Sequence, residues 1–213
     1  MLEQPPVFRG VSHALALIAS VPLGLLIVIG APGVVPRLAV AIFALSVTTM
    51  FAASALYHRV DWSTRVDRVM RRVDHSGVYL LVAGSYTAYA VLALSGWWQN
   101  SILIVVWAGT LSAIAVKFAW REAPRIVTVA IALSLGWVGI VSLPYALGQI
   151  SSAAIGLALA GGLLYSIGGA IYAMRRPNPF PRFFGFHEIF HVLVIGAVAC
   201  HYTAIALFGV FQT

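Results

Sequence analysis

Seven side chains able to hold a metal or move a proton stand in three short stretches: Ser54 and His58 in "SALYH", Asp74 and His75 opening "DHSGVYLLVAGSYTAY", and His187, Glu188 and His191 in "HEIFH". Residues four apart share a helix face, with about 5–6 Å between their Cβ atoms, so His187 joins His191 and Ser54 joins His58. Two imidazoles from one helix and one from another supply three nitrogen ligands at tetrahedral positions, with the fourth left to water. That open three-histidine pattern belongs to catalytic rather than structural zinc. In this scheme His58, His187 and His191 bind zinc. Asp74 accepts a hydrogen bond from the activated water or removes its proton, and Ser54, one turn deeper than His58, donates to a substrate oxygen or to the same water. A polar network without metal is the competing reading of the same residues.

The elements that must position these groups are membrane helices. Of 213 residues 61% are hydrophobic and 9% charged, and the mean hydropathy is +0.95; a soluble domain could not bury that much apolar surface. Polar or Pro/Gly breaks divide the chain into seven apolar runs, roughly 11–30, 38–58, 74–94, 101–118, 126–143, 152–173 and 187–208. Each is close to the ~20 residues a spanning helix needs. The runs are continuous rather than alternating, which predicts an all-α, seven-transmembrane bundle formed as one domain over 1–213 and excludes a barrel. The first run lacks an A-x-A-like cleavage site and is read as retained.

Basic residues set the expected orientation. Arg9 lies in the N-terminal tail; Arg59, Arg65, Arg68, Arg71 and Arg72 in the second loop; Lys117, Arg121 and Arg125 in the fourth; Arg175, Arg176 and Arg182 in the sixth; and only Arg37 on the other side. The bias predicts a multi-pass protein of the plasma membrane with a cytoplasmic N-terminus and an outer C-terminus. All three polar clusters then lie near the cytoplasmic ends of their spans. The net charge of +7 is spread between spans, so its role is topological and the expected partners are membrane lipids, not nucleic acid.

Other features have local explanations. The single cysteine, Cys200, excludes an intramolecular disulfide or CxxC site. "RVDWSTRVDRVMRR" spaces Val66, Val69, Met70 and Val73 against arginines, as in a short interfacial helix or a solvated connector. Trp97 and Trp98 suit an outer-loop aromatic belt, and Gly162, Ser166 and Ala170 suit close helix packing. His75, about 100° around the helix from Asp74, is read as packing or support for the site. His13 is read as interfacial. His201, 14 residues beyond His187 and so about 21 Å along the helix, cannot share its metal.

Taken together, "SALYH", "DHSGVYLLVAGSYTAY" and "HEIFH" resemble the bacterial hemolysin III proteins, which belong with the adiponectin and progestin receptors (PAQR family) and the alkaline ceramidases in one membrane superfamily. The resemblance covers nearly the whole chain. It implies zinc on His58, His187 and His191, with Asp74 near the water and Ser54 in the same pocket. Glu188 gives "HEIFH" the zinc-peptidase spelling, but that chemistry does not need the two upstream motifs, and no acidic residue follows Glu188. A charge at a helix N-terminus is the simpler role for it. The resemblance implies a zinc-dependent hydrolase of ceramide-like amides or ester lipids, or a factor in membrane homeostasis. A zinc-braced sensor without catalysis and a pore-forming cytolysin are the alternatives.

Overall fold

A computed structural model describes residues 6–120 and 123–210. The described chain is helical, without a strand: α1 (Val11–Gly30), α2 (Val34–Arg59), α3 (Thr64–Ala93), α4 (Gly96–Ala119), α5 (Arg125–Gly136), α6 (Leu143–Ala146), α7 (Ser152–Met174) and α8 (Phe186–Ile205). A 3₁₀ turn, Val138–Ser142, links α5 to α6, and a π turn, Ala206–Val210, prolongs α8. Seven segments are long and apolar enough to span a membrane, with α5, the 3₁₀ turn and α6 making the fifth. The expected seven-helix architecture therefore holds.

Three boundaries differ from the sequence reading. The basic stretch after α2 is helical, but it is the first third of α3 rather than a separate helix. At 30 residues α3 is about 45 Å long, more than the ~30 Å hydrocarbon core requires, so its arginine-bearing start projects beyond the apolar zone. Trp97 and Trp98 sit in the first turn of α4, not in a loop. Lys117 belongs to α4 and Arg125 opens α5, while Arg121 lies outside the described residues.

The fifth span is broken because Gly136, Gly139 and Pro144 interrupt its helical ladder. Backbone groups freed inside a membrane must find new partners. Tyr86 of α3 provides them: its hydroxyl donates to the Gly136 carbonyl and accepts from the Gly139 amide at 2.8 Å. A Cβ on Gly139 would lie 2.5 Å from the Tyr86 ring, so the glycine is what admits the ring. Tyr86→Phe is expected to cost about 1–3 kcal/mol by stranding both groups, measured as a lower unfolding midpoint.

The best-packed core joins α1, α2, α3 and α8. Phe43, Val47, Met50 and Phe51 of α2 meet Val194, Val198 and Tyr202 of α8 in one buried cluster. Small residues let α3 approach α2: a Cβ on Gly77 would stand 3.2 Å from the Met50 Cα. By contrast, the fifth span is barely buried, at 6% of its apolar window. A cavity of about 220 Å³ lies behind it, between α3, α5, α7 and α8.

Candidate metal centre

The polar clusters converge at one end of the bundle, the end carrying Arg59, Arg65 and Arg175. His58 is in the last turn of α2, and His187 and His191 occupy the first two turns of α8. α8 begins there because Glu188 caps it. The Glu188 Oε2 accepts the Gly185 amide at 2.8 Å, the one half of a capping box that a glycine N-cap allows, and an acidic group in the first turn is favoured by the helix dipole.

One ligand nitrogen from each of His58, His187 and His191 lies within 4.8 Å of the other two. The His58 and His187 Nε2 atoms are 3.1 Å apart. Two nitrogens bound to one tetrahedral ion at 2.0–2.1 Å stand about 3.3 Å apart, so this pair has the separation of co-ligands. The Nδ1 of His191 is buried with no hydrogen-bond partner. His187 and His191 are buried and His58 is half-buried. Three clustered, mostly buried imidazoles, with few partners of their own, could hold a metal ion, and this donor set suits a borderline-soft divalent cation.

Ser54 and Asp74 line the cavity beside the histidines. The Ser54 hydroxyl lies 2.8 Å from His13 Nδ1, and Asp74 lines the same cavity wall as Ser54. A hydroxyl has one proton. If Ser54 gives it to the Asp74 carboxylate, His13 Nδ1–H must donate to Ser54, which leaves His13 Nε2 unprotonated; that nitrogen is buried and unpartnered. His75 Nε2 pairs with the Tyr172 hydroxyl at 3.1 Å, and both line the cavity. His201 stands apart from the three-histidine group.

Two residues matter more here than their sequence context indicated. His13 is not interfacial: it is 2% exposed and stacks on His191 with ring centroids 3.8 Å apart at 14°. Its position at the same end of span one as the other polar clusters was the only available signal. Arg9, counted among the topological charges, forms an ion pair with Glu188. The segment that carries it is pinned by Val7 N–H to Arg182 O at 3.1 Å and Phe8 N–H to Phe183 O at 3.4 Å. Gly10 follows at φ 76°, and a Cβ there would come within 2.6 Å of the His58 Cβ, so only glycine permits the turn so close to a candidate ligand.

Both Glu188 oxygens are thus committed, one to Arg9 and one to the helix cap. Glu188→Gln keeps an acceptor for the Gly185 amide but leaves Arg9 without its counter-charge. It is expected to lower stability by about 1–3 kcal/mol with metal content unchanged, read from thermal unfolding and metal analysis.

The chain is similar to known membrane proteins along nearly its whole length. Residues 3–202 match the Haemolysin-III related family. The chain is 25% identical over 205 residues to the hemolysin-3 homolog of Bacillus subtilis (strain 168), covering 95% of this chain and 93% of that one. It is 28% identical over 209 residues to hemolysin-3 of Bacillus cereus, covering 96% and 91%. An adiponectin receptor protein of Drosophila melanogaster is 29% identical over 167 residues, covering 70% of this chain and 37% of the receptor. With its seven apolar spans and a match over nearly its whole length, this multi-pass membrane chain belongs to the Haemolysin-III related family.

Proposed function

We propose that this protein is a zinc-dependent intramembrane hydrolase that cleaves the amide or ester bond of a ceramide-like lipid. The observation that carries this reading is the joining of a three-histidine donor set to a largely apolar cavity at a point where Asp74 and Ser54 also face in. When bound by His58, His187 and His191, zinc supplies Lewis acidity and a water activated near neutral pH. The chain does the rest. Asp74 takes up the proton given by the attacking water, Ser54 holds Asp74 in place, and His13 fixes Ser54 from the other side. The apolar walls accept the acyl chain and exclude bulk water, while the thinly packed fifth span leaves a path from the bilayer. The polar head then sits at the arginine-rich, cytoplasmic end and the tail points toward the opposite leaflet. The superfamily implied by the resemblance to hemolysin III proteins contains alkaline ceramidases, which act on the same bond type, and also receptors, so the chemistry rests on the site. The test is fatty-acid release from ceramide and from ester lipids by purified protein, with and without chelation. No release from either lipid by zinc-loaded protein would overturn it.

One observation favours a second reading, zinc as a brace. The proposed ligands come from α2 and α8, whose backbones approach little and which meet mainly through side chains in the core. A brace alone predicts that chelation loosens the bundle while no lipid is turned over. The pore reading, suggested by the relatives' name, predicts liposome leakage that persists after zinc removal.

A further inference from the structure

The cavity contains a second polar layer that the metal centre does not use. On α8 and the π turn that prolongs it, His187, His191, Val194, His201, Ile205 and Phe208 all line the cavity, at steps of three, four and seven that keep one helix face inward. His201 therefore looks into the same space as the metal-binding pair, but ten residues, or about 15 Å, beyond His191. On α7, Tyr165 and Tyr172 line the same cavity two turns, or about 10 Å, apart. The Tyr165 and His201 rings stack with centroids 5.6 Å apart at 21°. His201 packs close against α7, where a Cβ on Gly161 would come within 2.8 Å of its ring.

The hydrogen bonding of this layer is incomplete. Other hydroxyls in the wall have partners: Tyr172 with His75, Tyr89 with Ser142, Tyr86 with Gly136 and Gly139, and Ser85 with Leu81. The Tyr165 hydroxyl is buried with none, and among the described residues His201 meets Tyr165 by ring stacking rather than by a hydrogen bond. Unsatisfied polar groups at membrane depth cost several kcal/mol, so a pair facing a cavity marks a place where something polar binds. A phenol and a neutral imidazole each offer a donor and an acceptor, which matches a neutral hydroxyl. No cation lines this part of the wall to receive a carboxylate.

We propose that Tyr165 and His201 form a subsite for a hydroxyl carried near the middle of a long acyl chain whose head lies at the three-histidine end. This rests on the reading of the cavity as an acyl-lipid site and narrows its substrate class to chain-hydroxylated lipids. The test is binding of 12-hydroxyoctadecanoate and octadecanoate to the full chain in detergent, by calorimetry. Wild type is expected to prefer the hydroxylated chain about tenfold, the value of one well-made hydrogen bond. Tyr165→Phe, which removes only an unpartnered oxygen and spares the fold, should cut the preference to threefold or less, and His201→Leu likewise. Ser85→Ala, in the same wall, should leave it unchanged. Equal binding of both chains by wild type, or a preference that survives both Tyr165→Phe and His201→Leu, overturns the subsite while leaving the lipid cavity intact. Failure of both acids to bind overturns the cavity reading together with the subsite.

Discussion

Protein carrying His191→Ala is expected to purify with little or no zinc, where wild type carries about one ion per chain. The same loss is expected for His58→Ala. Removing a partner that merely orients a ligand already weakens metal binding about 10–100-fold, so removing one of three nitrogen ligands should exceed the upper end of that range. The two variants probe different helices, α8 and α2. Their joint failure would establish that the ion bridges the two. Chelation should lower the unfolding midpoint of wild type and leave both variants unmoved, because only a bound ion stabilises the folded state by mass action. Metal analysis of purified protein with chelator-dependent melting reads both effects. Zinc unchanged in both variants would remove the centre altogether, and the hydrolase with it.

The second large effect is expected at Asp74. Asparagine preserves the shape of the carboxylate and still offers an oxygen to Ser54, so the His13–Ser54 contact at 2.8 Å and the metal content should survive. An amide cannot take up a proton. Fatty-acid release should fall by about 10²–10⁴-fold, the usual contribution of a positioned general base. Zinc stoichiometry and lipid turnover measured on one preparation separate binding from chemistry. If zinc is retained and wild type and Asp74→Asn are equally inactive on amide and ester lipids, the bracing role replaces the catalytic one.

The pairing of His13 with His191 bears on how both results are interpreted. A ring stacked at 3.8 Å on a proposed ligand restricts the rotamers of that ligand, and the same ring's Nδ1 fixes Ser54. The site is thus held from α1 as well as from the helices that carry its donors. Catalytic constellations usually depend on such outer support. Arg9 and Gly10 extend that support by holding the N-terminal segment against Glu188 and His58.

Much of this was determined by the sequence alone. Span number, span length and the helix face shared by His187 and His191 are local properties, set by apolar run length and by 3.6-residue periodicity, and they can be read without knowing what packs where. The same periodicity carries His201 around to that face four turns later, a relation legible in the chain but without meaning until a cavity lay alongside it. Which faces meet is set by packing between distant segments. The Arg9–Glu188 pair spans 179 positions and the His58–His187 contact 129, and both depend on how closely the helices that bring them together can pack. The merging of the basic stretch into α3 and the repair of the broken fifth span by Tyr86 have the same origin. Backbone groups and charges in a membrane must be satisfied by whatever neighbour packing provides, and no local pattern specifies that neighbour.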